Sequence, residues 1–287
     1  MGNGAERETI SIANAKVELN NGIELAYYDS SVVSAGDAAE SGGVIVLLHG
    51  YCGSSAYWER VVGPLSRTAR IIAPDARGHG LSSASDDEVY SMEMYASDIE
   101  SLLEKVKVDK ACLLGHSLGG YITLAFAEKY GERLSGFGLI HSTAKEDGEA
   151  AKLNRDKAAA TLQRDGVRPF VDGLIPKLFA PEHAEARQAD IERGKQIGYA
   201  TSLQGAVGTA RGMKQRPDRT ELIRQSPLPV LLVAGAADAL IPAESTFAAA
   251  GPRAIQQKLE SSGHMGMVEQ PEELIAIISR FADMLNV

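Results

Sequence analysis

Apolar and polar residues first alternate on either side of Asn21-Gly22, with Val17 and Leu19 before the turn and Ile23, Leu25 and Tyr27 after it. A period of two around Asn-Gly predicts an antiparallel hairpin over 16–28. The small, polar stretch 30–43 reads as a loop. Val44-Ile45-Val46-Leu47-Leu48 is then apolar without alternation, the pattern of a strand buried on both faces of a parallel sheet. Helical spacing follows over 57–65, and 69–73 is a second short strand. Over 92–106, Met94, Ile99, Leu102, Leu103 and Val106 recur at near-helical intervals with charges between them, which predicts an amphipathic helix. Leu113-Leu114 opens a strand, a helix follows over 121–127, and 134–140 is again a strand. Strands alternating with helices predict right-handed crossovers and a mainly parallel sheet covered on both faces.

At Ser142 this rhythm breaks. Residues 144–216 are rich in Ala, Arg, Glu and Gln, helical in pattern, broken at Pro169, Pro176 and Pro181, and without a strand. An all-helical insert in an α/β alternation predicts a lid. The alternation resumes with a strand over 228–235, a helix near 243–250, a strand near 254–259 and a closing amphipathic helix over 271–285. The expected organisation is a core domain in two parts, 1–141 and 217–287, with a helical cap over 142–216.

Composition narrows the classes. With 287 residues, 44% hydrophobic and 23% charged, the chain can bury a substantial core. A net charge of −9 without a Lys/Arg cluster argues against a nucleic-acid partner. Cys52 and Cys112 stand in separate regions, so neither a disulfide framework nor a zinc site is expected. Glu6 and Glu8 interrupt the amino-terminal stretch, which has no apolar core, and Glu6 occupies the position where a myristoylation motif takes Ser or Thr. No apolar run approaches the roughly 18 to 20 residues that span a bilayer. The expectation is a cytoplasmic protein, monomer or homodimer, with no membrane partner, no metal and no cofactor.

The chemistry begins at Gly115-His116-Ser117-Leu118-Gly119, a Gly-x-Ser-x-Gly elbow between strand and helix. Such a turn exposes its serine in strained backbone, and the flanking glycines let strand and helix approach. Serine is a poor nucleophile without a base and an acid to orient that base, sought here in the order Ser, acid, His. His264, in the small-residue loop before the last helix, fits the base. Asp238, just beyond the 228–235 strand, fits the acid; the competing reading is an Asx-turn ahead of Pro242. Asp218 precedes that strand and Asp75 precedes the elbow, so both fit less well. Oxyanion donors are expected from the amide of Leu118 and, after the His49-Gly50 turn, from the amide of Tyr51, whose phenol is a donor or a pocket wall. Apolar lid residues Phe170, Leu174, Leu178, Phe179, Tyr199 and Met213 are candidates for contact with substrate or for the lid's own core.

Together the His49-Gly50 turn, Asp75-Ala76-Arg77-Gly78-His79-Gly80, the 115–120 elbow, Asp238 and Gly263-His264 resemble the α/β-hydrolase fold family, in its lid-bearing esterase, lactonase and perhydrolase-like branch. The resemblance runs from about residue 10 onward. It implies a mainly parallel eight-stranded sheet with its second strand antiparallel, helices on both faces, and a cap inserted after the sixth strand. It also places Ser117, Asp238 and His264 at the family's triad, and the Tyr51 and Leu118 amides at its oxyanion hole. Arg77 and His79 are then structural, His116 packs under the elbow, and His49 orients nearby loops. A serine at the elbow, where dehalogenases and epoxide hydrolases carry aspartate, implies an acyl-enzyme. The expected activity is hydrolysis of small to medium carboxylic esters. Lactone, thioester or C–C hydrolysis and cofactor-free perhydrolysis or haloperoxidation use the same triad, and a ligand sensor on this fold is the alternative of another class.

Overall fold

The computed structural model describes residues 9–33 and 43–286. The expectations about a leader segment, and about most of the loop over 30–43, lie outside those residues. The strands are β1 Ala15–Glu18, β2 Glu24–Asp29, β3 Val44–Leu48, β4 Arg70–Pro74, β5 Ala111–His116, β6 Leu134–Ile140, β7 Val230–Gly235 and β8 Ala254–Leu259. They form one sheet in the order β1-β2-β4-β3-β5-β6-β7-β8. β2 pairs antiparallel with both β1 and β4, and every later pairing is parallel. The Asn21-Gly22 turn closes the first hairpin with Val17 opposite Leu25.

The helices are α1 Ser30–Val33, α2 Glu59–Leu65, α3 Met92–Lys105, α4 Leu118–Tyr130, α5 Glu149–Asp165, α6 Val167–Leu174, α7 Gln188–Gly198, α8 Leu203–Gln215, α9 Thr220–Arg224, α10 Ala243–Phe247, α11 Gly266–Glu269 and α12 Pro271–Leu285. In β3 the side chains of Ile45 and Leu47 join the core under α2 and α12, while Val46 and Leu48 join the core under α3 and α4. That division is why the run could be apolar throughout: successive residues face opposite covered layers. Two local expectations shift. Ser30–Val33 is a helical turn rather than loop, because the Asp29 carboxylate accepts the Ser31 amide at 2.9 Å and is itself paired with Arg70. The helix read over 57–65 begins as a 3-10 turn, Ser55–Trp58, capped by the Ser54 hydroxyl.

Helices α5 to α8 lie between β6 and β7, with α5 packed on α8. They are tied to the sheet from two sides. The Leu178 carbonyl accepts the amide of His264 at 2.7 Å, and the Glu269 carboxylate accepts the amide of Ala180 at 2.9 Å. On the other side α8 meets the loop after β4 backbone to backbone. A Cβ on Gly205 would fall 2.3 Å from the Gly78 carbonyl oxygen, and one on Gly212 would fall 1.8 Å from that of Tyr90. Only residues without a side chain permit that approach. Arg77, in the same loop, grips Asp98 of α3 through Nε at 2.6 Å and Nη2 at 2.5 Å, with both residues buried. It anchors the loop to the core, as the structural reading anticipates.

Candidate active site

The elbow is built by exclusion of side chains. A Cβ on Gly115 would lie 2.1 Å from the Gly119 carbonyl oxygen, and one on Gly119 would lie 2.3 Å from that of Leu48. Strand β5 and helix α4 therefore meet at contact distance, and the chain turns between them through Ser117 at φ 51° and ψ −111°. A non-glycine residue held there carries backbone strain, which the packed strand and helix impose on it. The Ser117 amide donates to the Ile140 carbonyl and its own carbonyl accepts the Ser142 hydroxyl, which fixes the turn against β6.

His264 and Asp238 come to the same place from the far end of the chain. Asp238 follows β7, and its Oδ1 accepts the amides of Leu240 at 2.9 Å and Ile241 at 3.0 Å. Its Oδ2 accepts His264 Nδ1 at 2.8 Å. The turn-stabilising and histidine-orienting readings of Asp238 thus coexist, one on each oxygen. Burial opposes ionisation of this carboxyl, but the two imidazoles beside it, His264 and His141, outweigh burial and hold it well below the usual carboxylate range.

A second histidine, His141, stands immediately beyond β6 with Nδ1 3.4 Å from Asp238 Oδ2, fully buried. At that distance and geometry neither ring nitrogen makes a hydrogen bond among the described residues, so His141 packs beside the Asp238 carboxylate without bonding to it. Sequence reasoning missed it. The available signal was position alone, a histidine directly after the carboxyl end of a strand, where sites gather in α/β sheets. His141, Asp238 and His264 also offer ligand atoms within 4.8 Å of one another, the one such metal-competent group among the described residues. Three of the aspartate's contacts there are already N–H donors.

His116 Nε2 donates to the His264 carbonyl at 2.8 Å, and its ring is boxed by Tyr57, Trp58, His141 and His264. His49 Nδ1 donates to the Gly50 carbonyl while its Nε2 accepts the Ala76 amide, so it joins the two loops flanking the elbow. Burial pushes His49 down to about 4, and burial with the neighbouring His49 pushes His79 down to about 3. Burial likewise lowers His116 and His141. These imidazoles resist protonation in the fold but not in the unfolded chain, so stability is lost as pH falls below the unfolded histidine value of about 6.5. At pH 5 His49 and His79 should each cost roughly 2 kcal/mol of folding free energy relative to alkaline pH. Urea midpoints compared between pH 8 and pH 5 should fall steeply; equal midpoints would contradict this.

Ser117 and His264 open onto one cavity of about 270 Å³, walled by Tyr51, His116, Tyr121, Ala151, Asn154, Arg155, Ala158, Phe170, Leu174, Leu178, Met213, Leu240 and Ile241. Neither the Ser117 hydroxyl nor His264 Nε2 is hydrogen bonded within the described residues, so both are available to a molecule in the cavity. The Leu118 amide opens α4, and Tyr51 reaches the wall from the loop after β3. Its phenol donates to the Ala206 carbonyl of α8 at 2.7 Å, which commits that hydroxyl to α8.

A family model described as "alpha/beta hydrolase fold" matches residues 43–271. The chain belongs to the α/β hydrolase fold family. The structure of a thermophilic esterase from Thermogutta terrifontis, solved with malate bound, is 30% identical with a TM-score of 0.86, over 95% of this chain and 99% of that one. A Bacillus subtilis protein named "Putative 2-succinyl-6-hydroxy-2,4-cyclohexadiene-1-carboxylate synthase" is 30% identical over 94% of this chain and 98% of its own. The enol-lactonase from Burkholderia xenovorans LB400, 21% identical, shares the fold with a TM-score of 0.83 over 93% of this chain and 99% of that one.

In this α/β hydrolase the six apolar candidates of the helical insert separate. Phe170 and Met213 line the cavity. Phe179 is buried where Tyr57 and Met265 meet the helical insert, and Tyr199 stacks under Arg168 and donates to Asp172. Leu174 and Leu178 line the cavity as well, Leu174 one helical turn after Phe170 on the same face of α6. Cys52 and Cys112 are free and buried, and burial pushes the Cys52 thiol up to about 12, leaving it a packing residue. No helix among the described residues is long and apolar enough to cross a membrane.

Proposed function

We propose that this α/β hydrolase cleaves carboxylic esters of small to medium acyl chain through an acyl-enzyme. Ser117 Oγ attacks the acyl carbon, and His264 Nε2 takes its proton and returns it to the leaving alcohol. Asp238 holds the imidazole with Nδ1 protonated and stabilises the imidazolium. The amides of Tyr51 and Leu118 donate to the oxyanion, and water then repeats the cycle on the acyl group. The observation that carries the reading is the 2.8 Å contact between His264 Nδ1 and buried, ionised Asp238, beside a strained serine on the same cavity. The 30% identity to an esterase over nearly the whole chain supports it. A cavity of about 270 Å³ favours short chains, with Phe170, Leu174, Leu178 and Met213 as the acyl contacts and residues 142–216 as the cap over them.

The test is p-nitrophenyl butyrate hydrolysis together with fluorophosphonate labelling read by peptide mass spectrometry. Turnover with a single adduct on Ser117 is expected. A folded protein that neither turns over short esters nor labels would sink the esterase reading and return the chain to ligand sensing.

A further inference from the structure

The roof of the cavity carries a charge that ester cleavage does not use. Ala151, Asn154, Arg155 and Ala158 recur at helical spacing on α5 and all line the space shared by Ser117 and His264. Arg155 Nε donates to Asp147 Oδ2 at 2.9 Å, and Arg216 Nη2 forms an ion pair with Asp147 Oδ1 at 2.7 Å. One carboxylate therefore answers two guanidinium groups, and one positive charge is left over.

The two cations are not equivalent. Arg216 is nearly buried, donates also to the carbonyls of Met213 and Lys145, and lies 3.9 Å from the centre of the Tyr121 ring. Arg155 keeps 26% of its side chain exposed, and among the described residues Nε is its one nitrogen bonded to protein. Its terminal nitrogens are thus the free donors among the described residues of this wall, which Asn154 also lines. No Asp or Glu lines the cavity to compete for them. A planar guanidinium with two parallel donors free, in a partly dehydrated apolar space, matches a carboxylate better than any neutral group. A neutral acyl chain filling the cavity strips water from Arg155 and gives nothing back, whereas a carboxylate replaces that water with a bidentate ion pair.

We propose that the site takes esters whose acyl chain ends in a free carboxylate, the half-esters of short dicarboxylic acids, and that Arg155 recognises that carboxylate. The proposal rests on the ester-hydrolase reading and adds the substrate class.

The test compares monoethyl glutarate with ethyl pentanoate, which differ in a terminal carboxylate against a methyl. Wild type should favour the glutarate in kcat/KM by about tenfold to a hundredfold, the range of one charge-assisted pair. Arg155→Gln should collapse that ratio, mainly through KM for the half-ester, and Arg155→Lys should restore part of it. If Arg155 only braces Asp147, both esters lose the same factor and the ratio stays, which overturns the proposal; so does a wild type without preference. Calorimetric binding of monoethyl glutarate to Ser117→Ala, with and without Arg155→Gln, separates this from the chemistry. Arg155-dependent binding, together with a wild type that cleaves neither ester, overturns the esterase reading alone, and binding indifferent to Arg155 overturns this one. Thermal melts establish that each variant is folded.

Discussion

Ser117→Ala is expected to lower kcat for p-nitrophenyl butyrate by about 10⁴-fold or more, with KM changed little, because the proposed nucleophile disappears while the cavity and the proposed oxyanion donors stay. Alanine keeps the Cβ, so the strained backbone at φ 51° is unchanged and the variant should melt with the wild type. Ser117→Gly separates the two properties that meet at this residue. Glycine occupies positive φ readily, so the same loss of activity should come with a gain of roughly 1 to 2 kcal/mol in unfolding free energy. Steady-state kinetics and urea unfolding of both variants read the outcome. An active Ser117→Ala protein would remove the nucleophile from the mechanism, and a glycine variant no more stable than alanine would mean the turn is relaxed.

Asp238→Asn is expected to cost about 10⁴-fold in kcat near neutral pH through the tautomer of His264. Oδ1 of Asp238 accepts two backbone amides, from Leu240 and Ile241. An asparagine must put its carbonyl oxygen there, which turns its NH₂ toward His264 Nδ1. The imidazole then accepts at Nδ1 and carries its proton on Nε2, the nitrogen needed as base. The variant also withdraws the one anion between His264 and His141, whose Nδ1 lies 3.4 Å from the same oxygen. In the wild type Asp238 stays ionised far into acid, so its own protonation should not contribute to the acid limb of kcat/KM. Kinetics from acid to alkaline pH test both points. Near-wild-type turnover of Asp238→Asn would dismiss the orienting role.

Much of this was legible before any coordinates. β3, β7 and α12 fall where the unbroken apolar runs and the Pro271 start put them, because a strand buried on both faces and an amphipathic helix each leave a pattern in sequence. Ser117, Asp238 and His264 could be singled out because each directly follows a strand or precedes a helix, so chain order carries their placement. His141 could not, since what matters about it is proximity to Asp238 across a helical insert. Arg155 sits in a helix so polar that its pattern does not say which face is covered; the packing of α5 on α8 decides that. Phe179 and Tyr199 were indistinguishable from Leu174 and Leu178 for a related reason: an apolar residue in a lid can fill the lid's joint with the core as well as the cavity.

The contact of α8 with the loop after β4 divides the insert into unequal halves. Where Gly205 and Gly212 press backbone on backbone, almost any substitution jams, and the Tyr51 phenol ties the same helix to the loop beside the serine. No such seam constrains the inner stripe of α5, where alanines flank Asn154 and Arg155. Variation can therefore accumulate on one panel of the insert while the other stays frozen. A lineage, or an engineer, can change what this enzyme admits by rewriting a few positions on α5 and leave the reacting atoms where they are.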